Sequence, residues 1–357
     1  MTVTSLTEKP LRVLIVDDSA FNRRNISEIL AAAPGIEVVG KASDGEEAIR
    51  QVLQLLPDVI TLDLEMPKMD GFTFLRILMS KMPTPVVVVS SYSQKENVFK
   101  ALELGALDFV TKPDRRADAD FAGIRADLLK KVLLARSVRP NQMLRARVWE
   151  QELLTGAGAK PARTVPGPPP RFVVAIGSST GGPTALMDIF AQLPATSKNT
   201  FLVAQHMPDK FTRTFAERLD RRSAVAVSEA QDGDTIAQAA GFVCPGRRCM
   251  QLEMAPGGHL RIRVSTPDEG DRYVPSADKL FTSVANVAGN RAVGVILTGM
   301  GDDGTAGAQA ILAKGGIVIA ESESTAVVYG MPGSAVRAKA VSRSSPLNEI
   351  GVFLSRL

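Results

Sequence analysis

Cysteine is almost missing from this chain: Cys244 and Cys249 are the two thiols among 357 residues. Two cysteines make no disulfide framework. Long apolar runs are missing as well. None approaches the ~18 residues that a bilayer-spanning helix takes, and the opening MTVTSLTEKP has no apolar signal-peptide core. A charge of one sign is missing too. The 42 Lys and Arg against 38 Asp and Glu leave a net +4, which lends little support to nucleic acid or another polyanion as partner. Histidine occurs twice, at His206 and His259. No internal repeat is visible. These absences point to a globular, cytoplasmic protein that does not insert into a membrane.

What is present suits two domains. The chain is 45% hydrophobic and 22% charged, long enough for two sizeable cores. From residue 10 to 137, short β-branched runs alternate with amphipathic segments. The expected strands are Leu11–Val16, Ile36–Val39, Val59–Leu62, Val86–Val89 and Leu107–Val110. Helical patterns lie between them, at Ala20–Leu30, Gly45–Leu56 and Phe72–Lys81, and a last helix is expected from Asp118 to Ser137. That alternation predicts an α/β fold, a parallel sheet covered on both faces.

Residues 138–170 then read as a linker. It begins inside a basic run, Lys130 to Arg147, that holds six cations and no acid. The run reads either as a solvated helix face or as a dock for an acidic surface. The linker ends in GAGAKPARTVPGPPP, too small and proline-rich to bury a core. A second α/β alternation occupies 171–357. Its expected strands are Phe172–Ile176, Thr200–Gln205, Ala224–Val227, Gly241–Val243, Ala292–Leu297 and Gly316–Ala320, with a helix at Gly304–Lys314. A hairpin, CMQLEM and HLRIRV about the turn Pro256-Gly257-Gly258, interrupts it.

Sites in parallel α/β sheets lie at the carboxyl ends of strands. In the first domain those ends carry Asp17 and Asp18, then Asp63, then Ser90 and Ser91, then Thr111 and Lys112. Clustered carboxylates repel one another unless a cation sits among them, and oxygen ligands there suit Mg²⁺. A metal beside one carboxylate, with a lysine near, fits phosphoryl transfer onto that carboxylate. VDDS at 16–19, LDLEMPKMDG at 62–71, VSS at 89–91 and FVTKP at 109–113 resemble the response-regulator receiver domain. The resemblance implies a flavodoxin-like fold with Asp63 as phospho-acceptor. It further implies that Asp17, Asp18, Asp63 and Glu65 hold Mg²⁺, Glu65 through a backbone carbonyl. Ser90 and Lys112 would contact the phosphoryl group, Phe109 takes the aromatic switch position, and a histidine kinase would be the donor.

In the second domain, IGSSTGGP at 176–183 predicts strand, tight turn and helix. The turn either cradles a phosphate or presents a nucleophile. A P-loop needs a lysine after its last glycine, and none follows Gly182; Pro183 removes a donor as well. The spacing of Gly177, Gly181 and Gly182 does not match a dinucleotide loop. A serine nucleophile needs a histidine and an orienting carboxylate. His259 flanks the exposed hairpin turn, whereas His206 ends the strand FLVAQ, next to the Ser178/Ser179 pair. Asp302 and Asp303 follow the strand at 292–297. One of them would orient His206 and the other would cap the next helix, and chemistry alone does not choose. The turn at Met300 and Gly301 offers N–H groups for an oxyanion.

IGSSTGG, QHMP at 205–208, PSADKLF at 275–281, LTGMGDDG at 297–304 and VYGMP at 328–332 resemble the catalytic domain of the chemotaxis protein-glutamate methylesterases. A receiver, a linker and that Rossmann-like domain with a hairpin insertion is their architecture. The resemblance implies Ser179 as nucleophile, His206 as base, Asp303 as its carboxylate and the Met300 N–H as an oxyanion donor, with no cofactor in this domain. It implies hydrolysis of glutamate γ-methyl esters on methyl-accepting chemoreceptors, with methanol released, and deamidation of receptor glutamines. The receiver is expected to cover the Ser179 cleft until Asp63 is phosphorylated. Two departures, Cys249 where histidine is common and Val274 where arginine is common, are expected near the rim of the site. A non-catalytic adaptor is the rival reading. A DNA binder would need a helix-turn-helix pattern, which is missing after the linker.

Overall fold

A computed structural model describes residues 9–91, 95–112, 121–138 and 167–357. The proline-rich stretch up to residue 166 and the basic run beyond Val138 lie outside them. The chain divides into two compact units, Met1–Glu150 and Gln151–Leu357.

The first unit holds β1 (Leu11–Val16), α1 (Ala20–Ala31), β2 (Ile36–Ala42), α2 (Gly45–Leu55), β3 (Val59–Leu62), α3 (Gly71–Lys81), β4 (Val86–Ser90), α4 (Lys95–Glu103), β5 (Asp108–Thr111) and α5 (Phe121–Leu134). Every strand pair is parallel, in the order β2-β1-β3-β4-β5. The strands β3 and β4 are buried at every residue, which is why VITL and VVVVS show no polar alternation. Helix starts are fixed by side chains: Ser19, Asp44 and Asp70 accept from the N–H groups of Asn22, Glu47 and Thr73. The last helix runs Phe121–Leu134, and one 3₁₀ turn continues to Ser137, the expected end; residues 118–120 of the expected span lie outside the described residues.

The second unit holds β6 (Val173–Ser178), α6 (Gly182–Ala191), β7 (Thr200–Gln205), α7 (Asp209–Arg222), β8 (Ala226–Glu229), β9 (Ala240–Val243), β10 (Cys249–Met254), β11 (Leu260–Ser265), α8 (Ala277–Ala288), β12 (Ala292–Ile296), α9 (Thr305–Ala313), β13 (Ile317–Glu321), α10 (Met331–Arg337), β14 (Arg343–Ser345) and α11 (Leu347–Arg356). Seven parallel strands lie in the order β14-β13-β12-β6-β7-β9-β8. The hairpin β10–β11 pairs antiparallel from Cys249↔Ser265 to Met254↔Leu260. It belongs to the core: Leu252 and Ile262 pack in one cluster with Phe281 and Val284 of α8, Leu202 of β7 and Ile311 of α9. Phe281 has no exposed surface, and truncating such a ring to alanine costs about 3–5 kcal/mol.

Both sheets reverse direction beside their first strand. In the first unit the chain steps from β1 out to β2 and returns across it to β3. In the second it steps from β6 to β7 and later returns to β12 on the other side of β6. Such reversals open a crevice at the carboxyl ends of the strands.

Candidate functional site

In the first unit the crevice gathers carboxylates. Asp17 and Asp18 follow β1 and Asp63 follows β3, and one oxygen of each lies within 4.8 Å of the others. Asp17 and Asp63 are buried, Asp18 is exposed. The Lys112 ammonium sits 2.6 Å from Asp63 Oδ2 and 2.9 Å from Asp17 Oδ2. Burial pushes the Asp63 carboxyl above its usual range, and Asp17 adds to that push against the pull of Lys112. Burial alone would lower the Lys112 ammonium, but Asp63 and Asp17 outweigh it and hold the lysine above its ordinary value. Asp17 Oδ1 accepts from the Ser19 N–H at 2.9 Å. Its Oδ2 is buried beside the Lys112 ammonium and has no other partner among the described residues. A buried carboxylate oxygen with spare lone pairs, in a group of three acids, fits a divalent cation. Glu65 is exposed and its carboxylate is outside that group. Ser90 is buried at the end of β4, and its carbonyl accepts from the Lys112 N–H at 2.7 Å. Phe109 is buried, with the Lys131 ammonium 5.2 Å from its ring centre.

In the second unit the crevice lies where β6, β7 and β12 end side by side. Strand β6 stops at Ser178, and the chain turns through Gly181 into α6, which has proline in its first turn. The Ser179 N–H donates to the Thr298 carbonyl at 3.0 Å, tying the turn to the loop after β12. Gly299 permits that approach: a Cβ there would run into Met331 Sδ and the Ser179 Cβ. The two serines are not equivalent. The Ser178 hydroxyl is fully buried and donates to Gln205 Oε1 at 2.7 Å. The Ser179 side chain makes no hydrogen bond among the described residues. Gln205 returns its amide to the carbonyls of Ser179 and His206 at 2.9 Å each, fixing the floor under both.

His206 follows β7, and its N–H donates to the Ser178 carbonyl. Its ring Nε2 lies 2.8 Å from Asp303 Oδ2. Asp303 is 1% exposed and takes four more donors: the N–H groups of Ala277, Asp278 and Gly304 and the Ser276 hydroxyl. Ser276 also caps α8, so this carboxylate sits at the positive end of a helix dipole. The preference for Nε2 leaves Nδ1 as the free ring nitrogen. No hydrogen bond joins the Ser179 hydroxyl to the imidazole among the described residues. The Met300 N–H likewise donates to no group there.

Some expectations need correction. Asp302 does not cap α9, whose N-cap is Gly304 with no side-chain bond. Its carboxylate instead accepts from the Tyr273 hydroxyl at 2.9 Å and meets Arg272 at 3.5 Å. Cys249 is fully buried, with Sγ 3.7 Å from Asp271 Oδ2, and so presents no surface to a substrate. Val274 is half-buried, directly after Tyr273. His259 is exposed at the hairpin turn. Tyr273, Gln205, Thr298 and Glu321 escape the sequence reading. Glu321 is buried and accepts from the Thr298 N–H at 2.8 Å. Gln205 and Thr298 sit inside the quoted motifs, but nothing local marks their partners.

The two crevices define a class: a hydrolase-type α/β unit carried behind a receiver. The CheB methylesterase family profile matches residues 174–354, and the response regulator receiver domain profile matches 13–119. A protein-glutamate methylesterase/protein-glutamine glutaminase of Myxococcus xanthus is 47% identical over 97% of both chains. One from Pyrococcus abyssi is 40% identical over 97% of this chain and 93% of its own. The crystal structure of the Thermotoga maritima CheB methylesterase catalytic domain covers 54% of this chain and 99% of that one, at 36% identity and a TM-score of 0.50. The chain belongs to the protein-glutamate methylesterase/protein-glutamine glutaminase family, the chemotaxis hydrolases that carry a response-regulator receiver. Among the described residues no helix is long and apolar enough to cross a membrane.

Proposed function

We propose that residues 171–357 hydrolyse glutamate γ-methyl esters on chemoreceptors in the cytoplasm, through an acyl-enzyme on Ser179, and that residues 10–137 control the rate through phosphorylation of Asp63. The observation that carries the reading is the 2.8 Å bond between His206 Nε2 and Asp303, beside a serine whose hydroxyl is uncommitted. Asp303 holds the Nε2–H tautomer, so Nδ1 takes the proton as Ser179 Oγ attacks the ester carbonyl. The Met300 N–H donates to the oxyanion. Collapse expels methanol, which leaves with the proton from His206. Water then attacks the acyl-enzyme, giving its proton to Nδ1, and the regenerated serine takes it back as the glutamate departs. With a glutamine substrate the same sequence releases ammonia. The hydroxyl–imidazole bond, unmade at rest, forms as substrate closes the site.

In the receiver, a histidine kinase supplies the phosphoryl group to Asp63. Asp17, Asp18 and Asp63, with the Glu65 carbonyl, would hold Mg²⁺, which neutralises charge on the phosphoryl oxygens when bound. Lys112 and Ser90 contact the same group. The test is methanol release from methylated receptor membranes. Ser179→Ala should lower it by roughly 10⁴-fold or more while Asp63 is still phosphorylated. Sustained release would sink the assignment.

A further inference from the structure

Beyond the three residues of the proposed relay, we infer that Tyr273, latched by Asp302 and Arg272, is a positioning residue that holds the plane of the His206 imidazole. The inference rests on the preceding reading of Ser179, His206 and Asp303. One hydrogen bond, from Nε2 to Asp303, fixes an edge of the ring but leaves it free to swing about that bond. Nδ1 meets the serine hydroxyl only in one ring orientation. Tyr273 supplies the missing restraint. Its ring lies 5.3 Å from that of His206, centre to centre, and the planes differ by 5°. This parallel stack covers one face of the imidazole.

The tyrosine is itself held. Its hydroxyl donates to Asp302 Oδ1 at 2.9 Å. Burial pushes that phenol above its usual value, and the bond to Asp302 adds to the push, so it remains a donor. The Arg272 guanidinium lies 5.3 Å from the tyrosine ring centre and 3.5 Å from Asp302 Oδ2. Gly301 keeps the latch open to the phenol: its φ is +94°, and a Cβ there would collide with the tyrosine hydroxyl. The consecutive aspartates thus divide one task. Asp303 fixes the edge of the imidazole directly, and Asp302 fixes its face through Tyr273.

The role makes demands that general support of the fold does not. The stack belongs to the ring and the latch to the hydroxyl, so Tyr273→Phe loses only the latch, whereas Tyr273→Ala loses the stack as well. The stack acts in the reactive complex, so kcat falls and KM stays. The experiment compares methanol release from methylated receptor membranes by full-length protein, phosphorylated with acetyl phosphate, as wild type, Tyr273→Phe, Tyr273→Ala and His206→Ala. Misplacing a reacting group by about 1 Å costs about 10²-fold. Tyr273→Ala should therefore lose about 30- to 100-fold in kcat with KM within about twofold, and Tyr273→Phe should stay within about fivefold of wild type. Thermal unfolding of each variant separates lost folding from lost positioning. If Tyr273→Ala keeps wild-type kcat, raises KM alone, or is matched in its loss by Tyr273→Phe, the clamp is wrong. If His206→Ala stays active, the failure lies instead in the relay itself.

Discussion

Asp303 is the residue on which the second crevice is centred. Five donors converge on one carboxylate that has almost no contact with water. Four of them come from residues 276–278 and 304, so the same group that orients the imidazole also pins α8 to the loop after β12. Asp303→Asn should therefore act twice. An amide NH₂ set among N–H donors leaves polar groups unpaired, at about 1–3 kcal/mol. It also favours the wrong imidazole tautomer, lowering kcat by about 10⁴-fold. Esterase assays beside denaturant unfolding read the two effects separately. A variant that loses stability but keeps kcat would show the carboxylate to be structural.

At the scale of elements, the caps carry testable electrostatics. Asp44 caps α2 through the Glu47 N–H and pairs with Lys68 at 2.7 Å. The Lys68 hydrogen bond, then the Glu47 N–H, hold its carboxyl below the ordinary range. A carboxyl lowered on folding stabilises the fold above its unfolded value, near 4, and that contribution is lost as pH falls through the lower folded value. Asp44→Asn keeps a capping oxygen but removes the charge. Wild type should unfold at a higher temperature than Asp44→Asn at pH 7, with the gap closing as the solution is taken below about pH 4. A gap that does not change with pH would assign the effect to packing.

The elements also show what sequence can and cannot disclose. The apolar strands at both sheet centres, and the hairpin inserted in the second unit, were legible because burial imposes a local composition. Thr200–Gln205 is found at its expected bounds. Strand β14 was not legible: Arg343–Ser345 is an edge strand of RSS and has no apolar pattern. The chemistry-bearing ends of strands were legible because topology brings them to one edge. The Asp303–α8 grip and the Tyr273–His206 stack were not, because they join residues 26 and 67 positions apart. Loop closure sets those pairings, and no periodicity records it.

At the scale of the whole molecule, one chain holds a crevice of clustered carboxylates and a crevice with the His206–Asp303 pair in separate compact units. Control by the receiver predicts that deleting residues 1–155 raises basal methanol release and abolishes its response to acetyl phosphate. A truncated protein with an unchanged or lower rate would count against restraint. The account as a whole depends on which hydroxyl attacks the ester. The measurement that tests it most directly is methanol release by the two single serine variants under identical phosphorylation. Ser179→Ala should be inert, and Ser178→Ala, which loses only the bond to Gln205, should retain turnover. The reverse ranking, or equal activity in both, would contradict the account.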